Sequence, residues 1–162
     1  MFFEKVFRKL NEHHVKHLVI GGAAVNLHGF IRVTNDLDIF IFLDEKNVDK
    51  FSKAMKELKF IPRIPVEISD LADENKVAIW IKEKNMKVFS LINLDTDEVI
   101  DVMVMKYIDF EKAYANKKVV NIGEIEVPII SISDLIKLKE ISGRAQDIMD
   151  IKMLLKIMEQ KK

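Results

Sequence analysis

The stretch from Gly21 to Leu43, GGAAVNLHGFIRVTNDLDIFIFL, constrains the fold more than any other part of the chain. An apolar run, His17-Leu18-Val19-Ile20, leads into the diglycine Gly21-Gly22. A short Ala-rich segment and a polar link follow, then an apolar run that opens with Asp36 and Asp38. Residues i and i+2 of a strand point to the same face. Asp36 and Asp38 therefore share one face, and Leu37, Ile39, Ile41 and Leu43 take the other. Two like charges side by side repel, and neither partners the other. A divalent cation turns that liability into a site, because Mg²⁺ prefers carboxylate oxygens and leaves room for substrate phosphates. The diglycine supplies the other half: backbone that approaches a phosphate closely, beside a helix N-terminus with free N–H groups. A phosphate cradle next to metal-binding carboxylates suggests nucleotidyl transfer.

The remainder of the chain reads as a frame for this stretch. Phe3, Val6, Phe7 and Leu10 have helical spacing, so residues 2–13 are expected as an amphipathic helix. A strand over 15–20, a short helix over 22–27 ended by His28-Gly29, a link over 30–35 and a strand over about 36–43 follow. Asp44 can cap the next helix, whose apolar stripe is Val48, Phe51, Met55 and Leu58. Pro62 and Pro65 mark a loop or an extended edge. Val77–Ile81, rich in β-branched and aromatic residues, reads as a strand, with a turn at Lys84-Asn85 and a return over 86–94. Further expected elements are a strand over 99–105, a short helix around Phe110–Tyr114, a hairpin about Gly123 and a helix capped by Ser131 or Ser133. Gly143 breaks that helix, and Ile148, Ile151, Leu154, Leu155 and Met158 mark a last one. The pattern is α+β: a mixed sheet with flanking helices and a C-terminal helical pair.

At 162 residues, with no repeat, linker or low-complexity segment, residues 1–162 are expected to form one domain with a real core. The 26 basic and 26 acidic residues cancel, so no global field favours nucleic acid. Cysteine is absent, which excludes disulfides, zinc-thiolate sites and thiol catalysis and fits a reducing interior. No apolar run approaches the ~18 residues of a membrane span. The N-terminus lacks a basic region and a cleavage site, and the expected location is cytoplasmic.

One further carboxylate stands out. In Glu98-Val99-Ile100-Asp101-Val102-Met103-Val104, strand parity puts Asp101 on a face with Met103 and opposite Ile100, Val102 and Val104. A carboxylate among apolar neighbours is costly unless it is paired or binds a cation. Asp95 and Asp97 read as turn residues instead.

These residues together resemble the nucleotidyltransferase superfamily with the DNA polymerase beta-like fold. Its members carry Gly-Gly or Gly-Ser at a strand-to-helix turn and Asp-x-Asp on the next strand, matched here by Gly21-Gly22 and Asp36-Leu37-Asp38. His28-Gly29 and Arg32-Val33-Thr34-Asn35 look like the small bacterial and archaeal members, including abortive-infection-type toxins and antibiotic nucleotidyltransferases. The resemblance makes Asp101 the third catalytic carboxylate, ligating metal with Asp36 and Asp38 and helping to activate an acceptor hydroxyl. A second resemblance covers residues 131–155: a Lys-bearing helix, an Arg, then paired Asp. Lys139 matches the lysine that approaches nucleotide phosphate in toxin-type and minimal members, and a solvated surface lysine is the alternative. Arg144 and Asp147, at i,i+3, can pair on one helix face. Arg32 is either a surface link residue or a phosphate or substrate contact. His28 reads as a helix-end residue and Trp80 as core, His13, His14 and His17 make no metal cluster, and residues 59–97 match nothing.

The resemblance implies Mg²⁺- or Mn²⁺-dependent transfer of a nucleoside monophosphate from an NTP to an acceptor hydroxyl, with release of pyrophosphate. Gly21, Gly22, Arg32 and Lys139 would hold the nucleotide. The acceptor stays open between a small molecule, a protein side chain and a tRNA end. A partner protein or a homodimer fits the family. The rival is a non-catalytic nucleotide-binding or toxin–antitoxin regulatory module that keeps the fold.

Overall fold

The computed structural model describes residues 2–161. Helix α1 (Phe2–Glu12) buries Phe3, Val6, Phe7 and Leu10, the face its spacing predicts. Strand β1 (His17–Ile20) leads directly into α2 (Gly21–His28), and an irregular link connects α2 to β2 (Leu37–Ile41). Strand β2 keeps the expected parity at its start, burying Leu37 and Ile39, with Asp38 between them. It begins after Asp36, so that carboxylate lies just outside the strand.

Asp44 caps α3 (Glu45–Glu57) by accepting from the Asn47 N–H. Buried Asn47 then exchanges hydrogen bonds with the Lys16 backbone and donates to the Phe42 carbonyl, pinning the helix start to both strands. Edge strand β3 (Phe60–Pro62) is followed by a 3₁₀ turn (Ile68–Ala72), α4 (Glu74–Lys84), β4 (Val88–Asn93), β5 (Val99–Met103), α5 (Phe110–Ala115) and the hairpin of β6 (Lys118–Ile122) and β7 (Ile125–Ile129). Helices α6 (Ile132–Ser142) and α7 (Ala145–Gln160) close the chain.

Among the described residues the strands form one seven-stranded sheet, ordered β3-β4-β5-β2-β1-β7-β6. Strand β2 runs parallel to β5 and antiparallel to β1, which runs parallel to β7. The sheet is therefore mixed, with helices packed on it, as an α+β reading requires.

Two expectations are corrected. Val77–Ile81 is not a strand but the middle of α4. Asp73 caps that helix by accepting from the Asn75 and Lys76 N–H groups, and left-handed Asn85 ends it. Val77 and Trp80, at i,i+3, are its buried face, and Trp80 stacks on Phe89 with centroids 5.7 Å apart. Side-chain capping and one buried helical stripe outweigh the β-propensity of four residues. The second correction concerns the C-terminal pair. Leu135 and Leu154 are buried and Leu138 packs partly buried against the core, but Ile141, Ile148 and Leu155 are exposed, so the stripes Leu135-Leu138-Ile141 and Ile148-Ile151-Leu155 are not packed along their length. Lys139, Asp147 and Asp150 are buried beside Leu135 and Leu154.

Candidate active site

The diglycine turn sits where β1 becomes α2. Gly21 has φ +63°, a left-handed conformation that favours glycine. A Cβ placed there would lie 2.8 Å from Cβ and Cγ of Asp38. At Gly22 it would lie 2.7 Å from Thr34 Oγ1 and 3.1 Å from Arg32 Nη2. The first glycine thus admits the Asp38 carboxylate, and the second lets the link close over the turn. No side chain among the described residues caps α2, which leaves first-turn N–H groups to meet an anion.

Strand register assembles the rest. Ile20 pairs with Asp38, Asp38 with Asp101 across the parallel β2–β5 ladder, and Asp101 with Ser90 on β4. Directly opposite residues share a sheet face, so Asp38, Asp101 and Ser90 form a row. The Ser90 hydroxyl donates to Asp101 Oδ1 at 2.5 Å, a short charge-assisted bond. Asp36, Asp38 and Asp101 all line one open cleft of about 800 Å³, together with Gly21, Gly22, Arg32 and Lys139.

The carboxylates lack charge compensation. Burial pushes the Asp38 carboxyl up to about 7, with Asp101 and Asp36 adding repulsion that Lys139 and Arg144 only partly offset. Burial also raises Asp101, and Asp36 adds to it, while the Ser90 hydrogen bond and the charge of Arg63 act the other way. Oxygen donors, two of them (Asp38 and Asp101) with ionisation opposed by burial, suit a hard divalent cation. Among the described residues, however, no three carboxylates or imidazoles stand close enough to be a ready-made metal cluster. Asp36 lies just before the start of β2, and Ser90 ties one oxygen of Asp101.

A second layer of charge backs the cleft. Arg32 holds Asp150 through two bonds, Nε to Oδ1 and Nη2 to Oδ2, both 2.8 Å. Lys139 Nζ reaches Asp150 Oδ2 at 2.8 Å and Asp147 Oδ1 at 3.1 Å. Arg144 Nε binds Asp147 Oδ2 at 2.8 Å. The side chains of Lys139, Asp147 and Asp150 are only 4%, 1% and 0% exposed. Burial opposes ionisation of both aspartates, but the hydrogen bonds from Arg144, Ser142 and Lys139 hold Asp147 well below the usual carboxylate range, and those from Arg32, Lys139 and Gln146 lower Asp150. Arg32 and Lys139 are thus neither free surface groups nor unpaired phosphate ligands: each is shared with a buried carboxylate. Arg144 and Asp147 form the i,i+3 pair their spacing allows. His28 ends α2, buried, with Nε2 2.7 Å from the Ile130 carbonyl oxygen.

The sequence reading did not single out Ser90, whose only signal is its register against Asp101, or the Arg32–Asp150 pairing across 118 residues.

The geometry has clear relatives. The family model described as "Nucleotidyltransferase of unknown function (DUF6036)" matches residues 3–158. ANT(2")-Ia, solved with adenylyl-2"-tobramycin, superposes with a TM-score of 0.60 at 10% identity, over 94% of this chain and 85% of that one. The lincosamide antibiotic adenylyltransferase LnuA, lincomycin-bound, gives 0.58 at 18% identity over 91% and 90%. TM1012 from Thermotoga maritima, a proposed nucleotidyltransferase, gives 0.59 at 15% identity over 96% and 91%. At such identities these structures share the fold. No curated protein sequence matches the chain.

Proposed function

The chain belongs to this nucleotidyltransferase family, and from that premise we propose that it moves a nucleoside monophosphate from an NTP to an acceptor hydroxyl, with residues 1–162 acting as one catalytic domain. The observation that carries this reading is the Asp38–Asp101 pair, in register on neighbouring strands and set beside the Gly21-Gly22 turn. Asp36, Asp38 and Asp101 would hold Mg²⁺ or Mn²⁺, which neutralises triphosphate charge and acidifies the acceptor hydroxyl.

The protein's own part is positioning and electrostatics. First-turn N–H groups of α2 receive phosphate oxygens. Arg32 and Lys139 face the nucleotide from the cleft wall. Three cations, Arg32, Lys139 and Arg144, against two carboxylates, Asp147 and Asp150, leave that wall with one net positive charge to set against the triphosphate. Asp101 Oδ2, the oxygen that Ser90 does not engage, accepts the hydroxyl proton. The acceptor oxygen forms its bond to the α-phosphorus, the bond to the bridging oxygen breaks, and pyrophosphate leaves with the electron pair. The cytoplasm, where NTPs and Mg²⁺ are abundant, is the setting this chemistry needs. No helix among the described residues is long and apolar enough to cross a membrane.

Calorimetric titration of each NTP with and without Mg²⁺ tests the reading. Binding should require the cation and should weaken in Asp38→Asn, which removes a charge at nearly constant shape. Affinity that ignores both would sink it.

A further inference from the structure

Nucleotidyl transfer needs an acceptor, and the walls of the cleft restrict its chemistry. This inference rests on the reading above. The charged side chains of the cleft are largely committed to one another. Arg32, Lys139 and Arg144 bind Asp147 and Asp150, and the three site carboxylates are reserved for the cation. Among the described residues Lys87 is the remaining lining cation and forms no ion pair. A polyanionic acceptor, such as an RNA end, is held by several unpaired Lys or Arg along its path, and one lysine does not supply them. A polycation would need further free carboxylates in the cleft, and the remaining one, Asp147, is already neutralised.

What remains of the lining combines apolar side chains with the uncharged polar ones of Thr34, Asn35, Ser142 and Gln146. Val33 comes from the link, Val88 and Met103 from β4 and β5, Tyr107 from the segment after β5, and Leu138 and Ile141 from α6. Val33, Val88 and Ile141 are 84%, 41% and 52% exposed. Large aliphatic groups gathered in solvent around one concavity mark a binding surface. Four separate parts of the sequence supply them, so the fold assembles this surface around the carboxylates. The cleft's volume of about 800 Å³, which the acceptor shares with the nucleotide, is that of a site for small molecules, about 300–1,000 Å³.

We infer that the acceptor is an uncharged small molecule that carries its reacting hydroxyl beside an apolar portion. The apolar walls desolvate that portion, the uncharged polar lining groups accept its remaining polar atoms, and the reacting hydroxyl is directed at Asp101.

The test starts from the full chain with Mg²⁺ and a non-hydrolysable ATP analogue, whose binding calorimetry establishes first. Methyl-selective NMR on that complex then follows three probes: n-octyl β-D-glucoside below its micelle concentration, spermine, and a short single-stranded oligoribonucleotide. Octyl glucoside should saturably shift the methyl signals of Val33, Val88, Leu138 and Ile141. The double variant Val88→Ser/Ile141→Ser should weaken that binding about tenfold, a loss of about 1.4 kcal/mol. Both side chains are solvent-exposed, and Val33→Ser in the irregular link serves as an independent variant. Spermine or the oligoribonucleotide binding in place of octyl glucoside overturns the inference. So does octyl glucoside binding that both variants leave unchanged. If the ATP analogue fails to bind, the nucleotidyl-transfer reading falls and takes the inference with it. If it binds and octyl glucoside does not, only the acceptor class is lost.

Discussion

Replacing Asp38 by asparagine should make the cation-free protein more stable. In the folded chain, burial and the charges of Asp101 and Asp36 lift the Asp38 carboxyl from 3.8 to about 7. The unfolded chain releases that proton near the ordinary value. Folded Asp38 therefore resists ionisation, and its contribution to stability is fully present below about pH 4 and is lost as pH rises toward 7. A gap of roughly three pH units at 1.36 kcal/mol each corresponds to about 4 kcal/mol of destabilisation above neutrality. Local relaxation makes this an upper figure. For a chain of this size, about 2–4 °C per kcal/mol translates it into a Tm difference of up to about 8–16 °C. Differential scanning calorimetry without divalent ions should find the two proteins alike near pH 4, with the variant pulling ahead between about pH 4 and 7 and keeping its lead above. Added Mg²⁺ should then raise the wild-type Tm and leave the variant's nearly unmoved, because the cation supplies the charge that the site lacks. A difference that is independent of pH, or a variant less stable near pH 8, would refute the argument.

Lys139→Ala should unfold at lower urea, losing about 3–5 kcal/mol, because it leaves the buried Asp147 and Asp150 short of a shared cation; chemical denaturation measures this, and an unchanged midpoint would contradict the paired geometry. Ser90→Ala should raise the Asp101 carboxyl further, since the hydroxyl bond opposes the upward push of burial. The acid limb of a single-turnover pH profile should move to higher pH, and a profile that stays in place would deny Ser90 that influence. Gly21→Ala combines a left-handed φ with a Cβ against Asp38, so Mg²⁺–nucleotide affinity and Tm should fall together; fluorescence-detected melting with and without nucleotide reads both.

The site was legible in the sequence where its signals are local. A diglycine after an apolar run, two aspartates at i and i+2, and an aspartate opposite three aliphatic residues are each readable within a few positions. Strand parity alone then placed Asp38 and Asp101 on faces that β2–β5 pairing brings together. Local chemistry failed where two tendencies competed. Over Val77–Ile81, β-branched content pointed to a strand, while Asp73, Val77 and Trp80 carried the quieter signals of a cap and a helical stripe. The C-terminal pair deceived in another way. Its aliphatic residues have helical spacing, yet Ile141, Ile148 and Leu155 face solvent and the ion pairs share the packed side with Leu135 and Leu154.

The residue order by itself determined the strand–turn–helix around Gly21, the carboxylate parity, the cap at Asp44, a serine cap at 131 or 133 and the break at Gly143, because hydrogen bonds and dihedral preferences within a few residues set all of these. Only the tertiary structure decided that Arg32 meets Asp150, that Lys139 is buried between two aspartates, that Ser90 engages Asp101 and that Val33, Val88 and Ile141 surround one cleft. Those partners lie on different elements. Their charges and apolar surfaces act only once β4, β5, α6 and the link have been brought together, and no spacing along the chain encodes a distance across it.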